Sequence, residues 1–550
     1  MNTIKSLLLG SAAGLLAMGG AQAADLPVKA KAVEYVRICS LYGAGFFYIP
    51  GTDTCIKLGG YLRADLTVNG GVYDQPFWNG EGGIRDRYAN FYNDRSRLAL
   101  TIDTRTATEY GVVRTFSQAD FQFSTFGSTS SIGVAASVNP AATQGQVNND
   151  TNGGGYTAVE FAFVQFAGFT FGKSASAYAS PWHGYPGNNT SYLVGGYDSV
   201  TGINNIQYTW QFGNGGSATL GIDDSSSAGF NRTQIINAIG GAAGGGIGFG
   251  GAASSFLTGV GTAYGGTSVP DFVGNVRVDQ AWGLFQISGA IHDDHAGYFS
   301  VANTPSTNFT GAAQTGAVNF GHPDDKYGGA VMAALQIKNI PTGAGDDIKM
   351  SGSWSLGASH YVLGTSASDP SSFDIYSGTK FAMGVVTDSI YSGASAVNGQ
   401  TQQQLTRGWG FNGAYNHNWD PYWSTSLFGG IAGLSYNQTA KQLYCNTYSM
   451  TAGVAIRGGG VTGGGGTGGT FGAGSVCDPG FTISEIGLVT RWTPVKNLTF
   501  SAEVLYAYLK TNMSGTISGA PSSALPLANT TYTFGNNGTA SLNLRVQRNF

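Results

Sequence analysis

Polar and apolar side chains alternate along the segment from Arg95 to Arg105. The odd positions carry Arg95, Arg97, Thr101, Asp103 and Arg105, and the even positions carry Leu98, Leu100 and Ile102. A period of two predicts a β-strand with one charged face and one apolar face. In a soluble antiparallel sheet the apolar face would turn to a core, whereas in a membrane barrel it would turn to lipid.

The same alternation recurs along the whole chain. It is clearest from Lys57 to Asn69, where Leu62 and Leu66 share the apolar face. Seventeen segments are predicted strands: 57–69, 95–106, 110–122, 157–167, 168–174, 203–212, 217–224, 272–280, 282–292, 327–338, 347–362, 374–386, 405–418, 422–436, 482–492, 498–510 and 540–550. The count becomes 16 if one candidate is false or if the first and last segments share a strand.

The connections between these segments differ in length. Asp420-Pro421 is a tight turn, whereas 124–155, 225–270, 294–325 and 437–480 are long and low in complexity. Long structureless loops are uncommon inside a compact soluble domain. Short turns at one end and long loops at the other are typical of outer-membrane barrels. We therefore predict an all-β fold, a transmembrane antiparallel β-barrel of about 16 strands with short periplasmic turns and long extracellular loops.

Both ends of the chain agree with export to an outer membrane. Lys5, the apolar stretch 6–18 and Ala21-Gln22-Ala23 predict a signal peptide over residues 1–23. Residues 24–550 then form a single barrel domain, with 24–54 as a segment leading into the first strand. From Ser541 the last strand alternates and ends on Phe550, which we interpret as the signal that the barrel-assembly machinery recognises.

Composition narrows the class of protein further. Charged residues are 11% of the chain and aromatic residues 12%, with 87 glycines. The mean hydropathy is -0.04. After the signal peptide no run of roughly 18 apolar residues follows, which excludes a helical membrane protein. Removal of Lys5 leaves 26 basic and 31 acidic residues, and the chain has no basic patch of the kind that binds nucleic acid.

Four cysteines in an exported chain predict disulfides, for which three pairings exist. Proximity in sequence favours Cys39 with Cys55 and Cys445 with Cys477. No Cys-x-x-Cys or Cys/His spacing indicates zinc. We expect no catalytic site, metal or cofactor.

A motif near the N-terminus carries a family resemblance. The segments Tyr35–Cys39 and Tyr42–Cys55, continuing into Gly59-Gly60-Tyr61-Leu62-Arg63, resemble the general porins of alphaproteobacteria, and Asp94–Arg97 agrees with them. The resemblance implies a trimeric 16-stranded barrel that admits small hydrophilic solutes. Its partners would be a second and third copy of the chain, outer-membrane lipid and lipopolysaccharide. The insertions at 225–270 and 437–480 are larger than usual for such porins.

A channel of this kind needs charges that line its lumen. Arg95, Arg97 and Arg105 share one strand face, and Arg114 on the next strand extends it into a cationic wall with carboxylates opposite. The alternative is that these arginines bind lipopolysaccharide or solvate a loop. By the same parity the candidates for the lumen also include Lys57, Arg63 and Asp65.

The acidic partner of this wall is harder to place. The resemblance implies that the loop after the fifth strand folds inward, and by our count this loop is 175–202, with Asp198 as its carboxylate. Asp103 and Asp120 are alternatives on the wall itself. His292-Asp293-Asp294-His295 has the residue types of a metal site, yet its position favours a solvated strand end. Four tryptophans near strand ends fit interfacial girdles, as core packing also would: Trp409, Trp419, Trp423 and Trp492.

The predicted function is passive passage through an outer-membrane general diffusion porin, not enzymatic catalysis. A substrate-selective porin for sugars or anions is the first alternative, and an aromatic ladder along the lumen would mark the sugar channel. A secreted, surface-exposed β-rich adhesin is the second alternative, although no fixed-period repeat is visible.

Overall fold

The computed structural model describes residues 37–71, 92–124, 156–182, 184–191, 193–197, 200–225, 232–238, 263–299, 321–364, 372–393, 399–446, 450–456, 461–462, 470–518 and 530–550. Within them, two compact units divide between Ile56 and Lys57. The predicted signal peptide, residues 1–23, lies outside the described residues.

Sixteen long or medium strands form one antiparallel sheet. They are β1 (Thr54–Val68), β2 (Tyr92–Thr108), β3 (Gly111–Ser124), β4 (Tyr156–Phe166), β5 (Phe169–Ser174), β6 (Ile203–Gly213), β7 (Gly216–Asp223), β8 (Asp271–Asp279), β9 (Gly283–Asp294), β10 (Lys326–Lys338), β11 (Asp347–Leu356), β12 (Arg407–Asn418), β13 (Trp423–Ser435), β14 (Phe481–Val495), β15 (Leu498–Thr511) and β16 (Asn537–Asn549).

The sheet closes on itself. Strand β16 pairs with β15 on one side and with β1 on the other, where Leu544 lies opposite Leu66. The backbone N–H of Phe550 donates to the carbonyl oxygen of Gly60 at 3.1 Å, so the pairing continues to the last residue. Closure removes the edge strands, whose unpaired backbone groups would be costly in lipid. The predicted barrel is confirmed.

Short and long connections alternate around the barrel. Two residues join β6 to β7, and Asn214 and Gly215 both have positive φ angles, of 50° and 75°. This is the backbone shape that the commonest two-residue hairpin turns need, and Asn-Gly supplies it at the lowest steric cost. The connection from β7 to β8, in contrast, runs from Asp224 to Pro270. In the antiparallel strand order, every short connection joins strands at one end, the turn end, and every long one joins them at the other, the loop end.

One predicted strand, 374–386, is wrong as a barrel strand. It forms a hairpin of Ser372–Ser377 and Lys380–Val385 in a separate small sheet, with Thr531–Phe534, Thr516–Ser518, Thr470–Phe471 and Val461–Thr462. Its residues are buried on both faces, apart from the turn between the two strands. A strand with two apolar faces has no side for a watery lumen, so it packs into a core instead.

That core lies at the loop end. Phe373, Phe381 and Tyr532 belong to one cluster with Phe481 and Leu509, which lie at the loop ends of β14 and β15. The helix α2 (Gln438–Asn446), which follows the short helix α1 (His360–Leu363), adds further buried side chains to this loop-end core. The disulfide between Cys445 and Cys477 lies within it, in the predicted pairing. No described helix has the length and apolar character required to span a membrane.

The outer surface of the barrel is apolar, with aromatic side chains at both ends. Trp423 and Trp492 lie opposite each other near the turn end, with ring centroids 5.8 Å apart, and both are exposed. Trp354 and Trp409 form a corresponding exposed pair on β11 and β12 near the loop end. Exposed rings at the two ends fit interfacial girdles rather than core packing.

The N-terminal unit is described from Arg37 to Ile56. It contains a 3₁₀ turn (Ser40–Tyr42) and a short strand (Phe47–Tyr48) that pairs with Cys55 and Ile56. The disulfide between Cys39 and Cys55, again in the predicted pairing, is buried there with Phe46.

Candidate pore lining and constriction

The inner face of β16 and β1 to β4 carries charged side chains. On β2 the odd positions Arg95 and Arg97 are buried inside the barrel, whereas Leu98 on the even parity is exposed outside. The alternation therefore places the arginines toward the lumen and the leucine toward the surrounding membrane. We call this surface the charged wall; its members are Arg63, Asp65, Arg95, Arg97, Asp103, Arg105, Arg114, Asp120, Glu160 and Arg545.

Asp65 on β1 holds two arginines from the neighbouring strands. Arg95 Nε donates to Asp65 Oδ2 at 2.8 Å, and Arg545 Nε forms an ion pair with Asp65 Oδ1. All three side chains are nearly completely buried. Hydrogen bonds between charged partners are about twice as strong as neutral ones, so this triad fixes the inner faces of β16, β1 and β2 to one another.

Arg97 and Arg105 pair with acidic groups on the same wall. Arg97 Nη1 lies 2.7 Å from Asp120 Oδ2 and 3.9 Å from Glu160 Oε1. Arg105 and Arg114 share Asp103, each through an Nη2 atom 3.0 Å from its Oδ2. These two guanidinium groups are about 30% exposed on the inner face of the barrel.

The acidic side chains thus lie between the arginines rather than on an opposite wall. Inward-facing residues of neighbouring strands have Cβ atoms about 5 Å apart, close enough for opposite charges to pair. The charged wall contains six arginines and four carboxylates, which leaves two positive charges in excess. Lys57 is exposed near the start of β1, and Arg63 Nε donates to Gln547 Oε1 at 2.8 Å.

The described residues of the loop after β5, at 175–202, fold into the barrel. Their carbonyl oxygens accept hydrogen bonds from the inner faces of distant strands: Ala179 from Gln286 Nε2 at 2.8 Å and Pro186 from Asn416 Nδ2 at 3.0 Å. Near the return of the loop, Thr201 Oγ1 donates to Glu160 Oε2 at 2.7 Å. The described part of the loop therefore lies inside the barrel, between the charged wall and the strands from β8 to β15. Asp198 lies outside the described residues.

Two glutamates anchor this inward loop. Glu503 Oε1 accepts the Thr190 backbone N–H at 3.0 Å, and Glu485 Oε2 accepts that of Val194 at 2.9 Å. Close approach continues at Gly195, where φ is 97° and a Cβ atom would lie 2.2 Å from the carbonyl oxygen of Phe411. Only glycine fits this position without displacing β12.

These two anchors are not among the residues predicted from the sequence, although a signal for them exists. Glu485, Arg491 and Glu503 occupy the inward parity of β14 and β15 and are partly or fully buried. The parity rule that selected Arg95 and Asp65 on the first strands would have selected them on the last ones. Their bonds to the loop join segments about 300 residues apart, which no local pattern indicates.

The prediction of a solvated strand end at residues 292–295 is wrong for its first three residues. His292 and Asp294 are 0% exposed and Asp293 is 6% exposed, because segments from two long loops fold over the end of β9. Only His295 lies near solvent, in an ion pair with Asp325. Among the described residues, His292, Asp294 and Asp388 form a group whose donor atoms are spaced closely enough to hold a metal ion.

Comparison with known proteins agrees with this architecture. A family profile described as the porin subfamily matches residues 25–537. The chain belongs to the porin subfamily. Over 239 residues this porin is 36% identical to Porin Omp2b of Brucella suis biovar 1 (strain 1330), a match that covers 42% of the chain and 58% of the relative. Porin Omp2b of Brucella canis is 35% identical over 242 residues, with the same coverage.

A solved structure shares the fold. The outer membrane channel DcaP of Acinetobacter baumannii superimposes on 92% of this porin and 99% of its own chain, with a TM-score of 0.50 and 12% sequence identity. The family and the closed barrel place this porin in the bacterial outer membrane. Its long connections are the extracellular loops, and its short connections are the periplasmic turns.

Proposed function

We propose that this porin forms a water-filled general diffusion channel for small hydrophilic solutes and ions. The observation that carries the proposal is the inward loop of residues 175–202, which lies inside a barrel with a charged inner face and an apolar outer face. Part of the loop packs in an apolar cluster against the inner faces of β8 to β10, where Tyr178 and Tyr197 are buried. The loop narrows the lumen from that side, and we propose that size and charge rather than a binding pocket govern passage. Membership of a family of channels also favours transport over an enzymatic reaction.

The charged wall favours a mild preference for anions. Its ten members carry two positive charges in excess, and Arg105 and Arg114 are about 30% exposed. Screening by salt shortens the reach of these charges to about 10 Å at 0.1 M, so we propose weak selectivity rather than a specific anion site. A weakly anion-selective porin is therefore the second candidate function.

A sugar channel and a secreted adhesin have less support. A sugar channel needs aromatic rings along its lumen, whereas many of the aromatic side chains in the strands of this barrel are exposed on its outer face. A secreted adhesin has no use for an apolar belt between two aromatic girdles, since that surface would aggregate in water.

Assembly and export complete the proposal. We propose that residues 1–23 are removed on export, that Phe550 and its strand are recognised by the barrel-assembly machinery, and that three copies associate in a membrane of lipid and lipopolysaccharide. Closed cyclic symmetry is the common arrangement of identical subunits. A heat-modifiable trimer on a gel would support the assembly, and a monomer in extracted membranes would contradict it.

Channel recordings test the function directly. Purified porin in planar bilayers is expected to give long-lived ohmic steps with a small reversal potential in a salt gradient. Liposomes that contain it should swell in small sugars and fail to swell in oligosaccharides above a size limit. Correctly folded barrels that give neither conductance nor swelling would overturn the proposal, and saturable conductance with one sugar would favour a sugar-selective porin.

A further inference from the structure

A buried polar cluster lies where the loop end of β9 meets two extracellular loops. His292 and Asp294 belong to β9, Tyr264 to the loop that precedes β8, and Asp388 to the loop that precedes β12. His292, Asp294 and Asp388 are all 0% exposed. One donor atom from each of these three lies within 4.8 Å of the donor atoms of the other two.

Tyr264 completes a set of four donor atoms. Its Oη lies 2.9 Å from His292 Nε2, 2.9 Å from Asp388 Oδ2 and 3.3 Å from Asp294 Oδ1. A phenol has one hydrogen and cannot donate to both carboxylates at once. In a tetrahedral zinc site with bonds of about 2.0 Å, neighbouring ligand atoms are about 3.3 Å apart. The spacing around Tyr264 Oη is therefore close to that of a four-ligand site.

The histidine is oriented as metal ligands are. Nδ1 of His292 is 2.8 Å from Asp271 Oδ1, and Asp271 Oδ2 accepts the hydroxyl of Tyr361 at 2.6 Å. In the neutral ring, a proton on Nδ1 directed to this carboxylate would leave the lone pair of Nε2 toward the cluster. Metal-binding histidines nearly always have such a partner on the other ring nitrogen.

Asp388 is also fixed from outside the cluster. Its Oδ1 accepts the backbone N–H and the hydroxyl of Ser359, both at 2.7 Å, and its Oδ2 accepts the Thr233 backbone N–H at 2.7 Å. These donors hold the carboxylate in place with Oδ2 toward Tyr264. The site is thus organised before any ion arrives.

Carboxylate oxygens in and beside the cluster are buried without a hydrogen bond. Asp294 Oδ2 is buried and has no hydrogen-bond partner among the described residues, and the same holds for Asp293 Oδ1. The nearby cation Arg232 lies over the ring of Tyr264, at 4.7 Å from its centroid. A buried carboxylate oxygen without a hydrogen bond is costly, and a cation bound at Asp294 Oδ2 would offset that cost.

We propose that His292, Asp294, Asp388 and Tyr264 bind one divalent transition-metal ion of the zinc class. A ring nitrogen, two carboxylates and a phenol oxygen suit Zn²⁺, whereas Ca²⁺ prefers six to eight oxygen ligands. The four ligands come from three segments of the chain. The ion therefore fastens two extracellular loops to the rim of the barrel, and this role goes beyond diffusion through the lumen.

Metal binding to the intact, detergent-solubilised porin tests this site. The protein is stripped with EDTA, dialysed against Zn²⁺, and its metal content is measured; Co²⁺ replaces Zn²⁺ to record the absorption bands of tetrahedral coordination. His292→Gln and Asp294→Asn are compared with His295→Gln. His295 follows the two ligands in sequence but is not a ligand, and its ion pair with Asp325 lies near solvent. We expect one equivalent in the wild type and in His295→Gln, and at least tenfold weaker binding in the other two.

Amide hydrogen exchange on the wild-type protein provides a second test that needs no variant. Zn²⁺ should slow amide exchange in residues 263–270 and 386–391 and leave the periplasmic turns unchanged. Absence of stoichiometric Zn²⁺, equal affinity in a folded His292→Gln barrel, unchanged exchange, or preferential loading with Ca²⁺ would each overturn the proposed zinc-class site.

Discussion

Asp65 and Arg95 form an ion pair inside the barrel, with Arg95 Nε 2.8 Å from Asp65 Oδ2 and both side chains nearly inaccessible to solvent. Because Arg545 pairs with the other oxygen of the same carboxylate, Asp65 neutralises two guanidinium groups on neighbouring strands. The pair joins the first strand to the second, and Arg545 extends the connection to the last strand, where the barrel closes.

Removal of this carboxylate should destabilise the barrel. Asp65→Asn leaves two buried arginines without their counter-ion, which costs about 3–5 kcal/mol in comparable buried pairs. Urea unfolding in detergent, followed by tryptophan fluorescence, measures the change. Asp279→Asn is the matched control, because Asp279 pairs with Arg277 and Lys338 at a half-exposed position where the loss should stay below about 1 kcal/mol. Equal losses in the two variants would contradict a structural role for Asp65.

Ion selectivity should depend more on Arg105 and Arg114 than on Arg95. The first two share one carboxylate, that of Asp103, and are about 30% exposed, whereas Arg95 is neutralised by Asp65. Replacement of both Arg105 and Arg114 by Gln should move the reversal potential in a salt gradient toward cations. Asp103→Asn should move it toward anions. An unchanged reversal potential in both variants would place these side chains outside the ion path.

The loop-end core should loosen as pH rises. Burial raises the pKa of Asp374 to about 7, with a single hydrogen bond from Ser372 opposing the shift. A carboxyl with a folded-state pKa above its unfolded value stabilises the fold below the unfolded value, about 4, and this contribution is lost as pH rises through 7. Limited proteolysis of the hairpin Ser372–Ser377 and Lys380–Val385 should therefore accelerate roughly tenfold or more between pH 5 and pH 8.

Asp374→Asn provides the control for this pH dependence. The amide has nearly the same shape and does not titrate, so its cleavage rate should vary with pH only as far as the protease does. A wild-type profile that matches that of Asp374→Asn would show that this carboxyl does not titrate in the range.

The sequence predicts the barrel well because a lipid-facing and a water-facing side impose a period of two. Arg95 and Leu98 lie on opposite faces for that reason alone, and each strand carries its own signal. The predicted barrel strand at 374–386 is wrong because this period of two is absent there. The apolar stretch from Phe381 to Val386 lacks alternation and also suits a hairpin buried on both faces, and only the folded extracellular loops decide where it lies.

The site was less predictable because its pairings are distant in sequence. Asp65 and Arg545 lie 480 residues apart, and they meet only when the barrel closes. The burial of His292 depends likewise on Tyr264 and Asp388, which two different loops supply. Parity places a side chain inside the barrel, but it does not indicate which charge or loop will meet it there.

The two anchors of the inward loop should control the width of the channel. Glu503→Ala and Glu485→Ala remove the carboxylate acceptors of the backbone N–H groups of Thr190 and Val194, and loss of a buried acceptor is costly. The loop of residues 175–202 should become mobile, so single-channel records should show larger current fluctuations, and liposomes should admit larger sugars. Glu109→Ala, at an exposed periplasmic turn, is the matched control. If conductance noise and size limit match those of the control while the barrels remain folded, the glutamates do not hold the constriction.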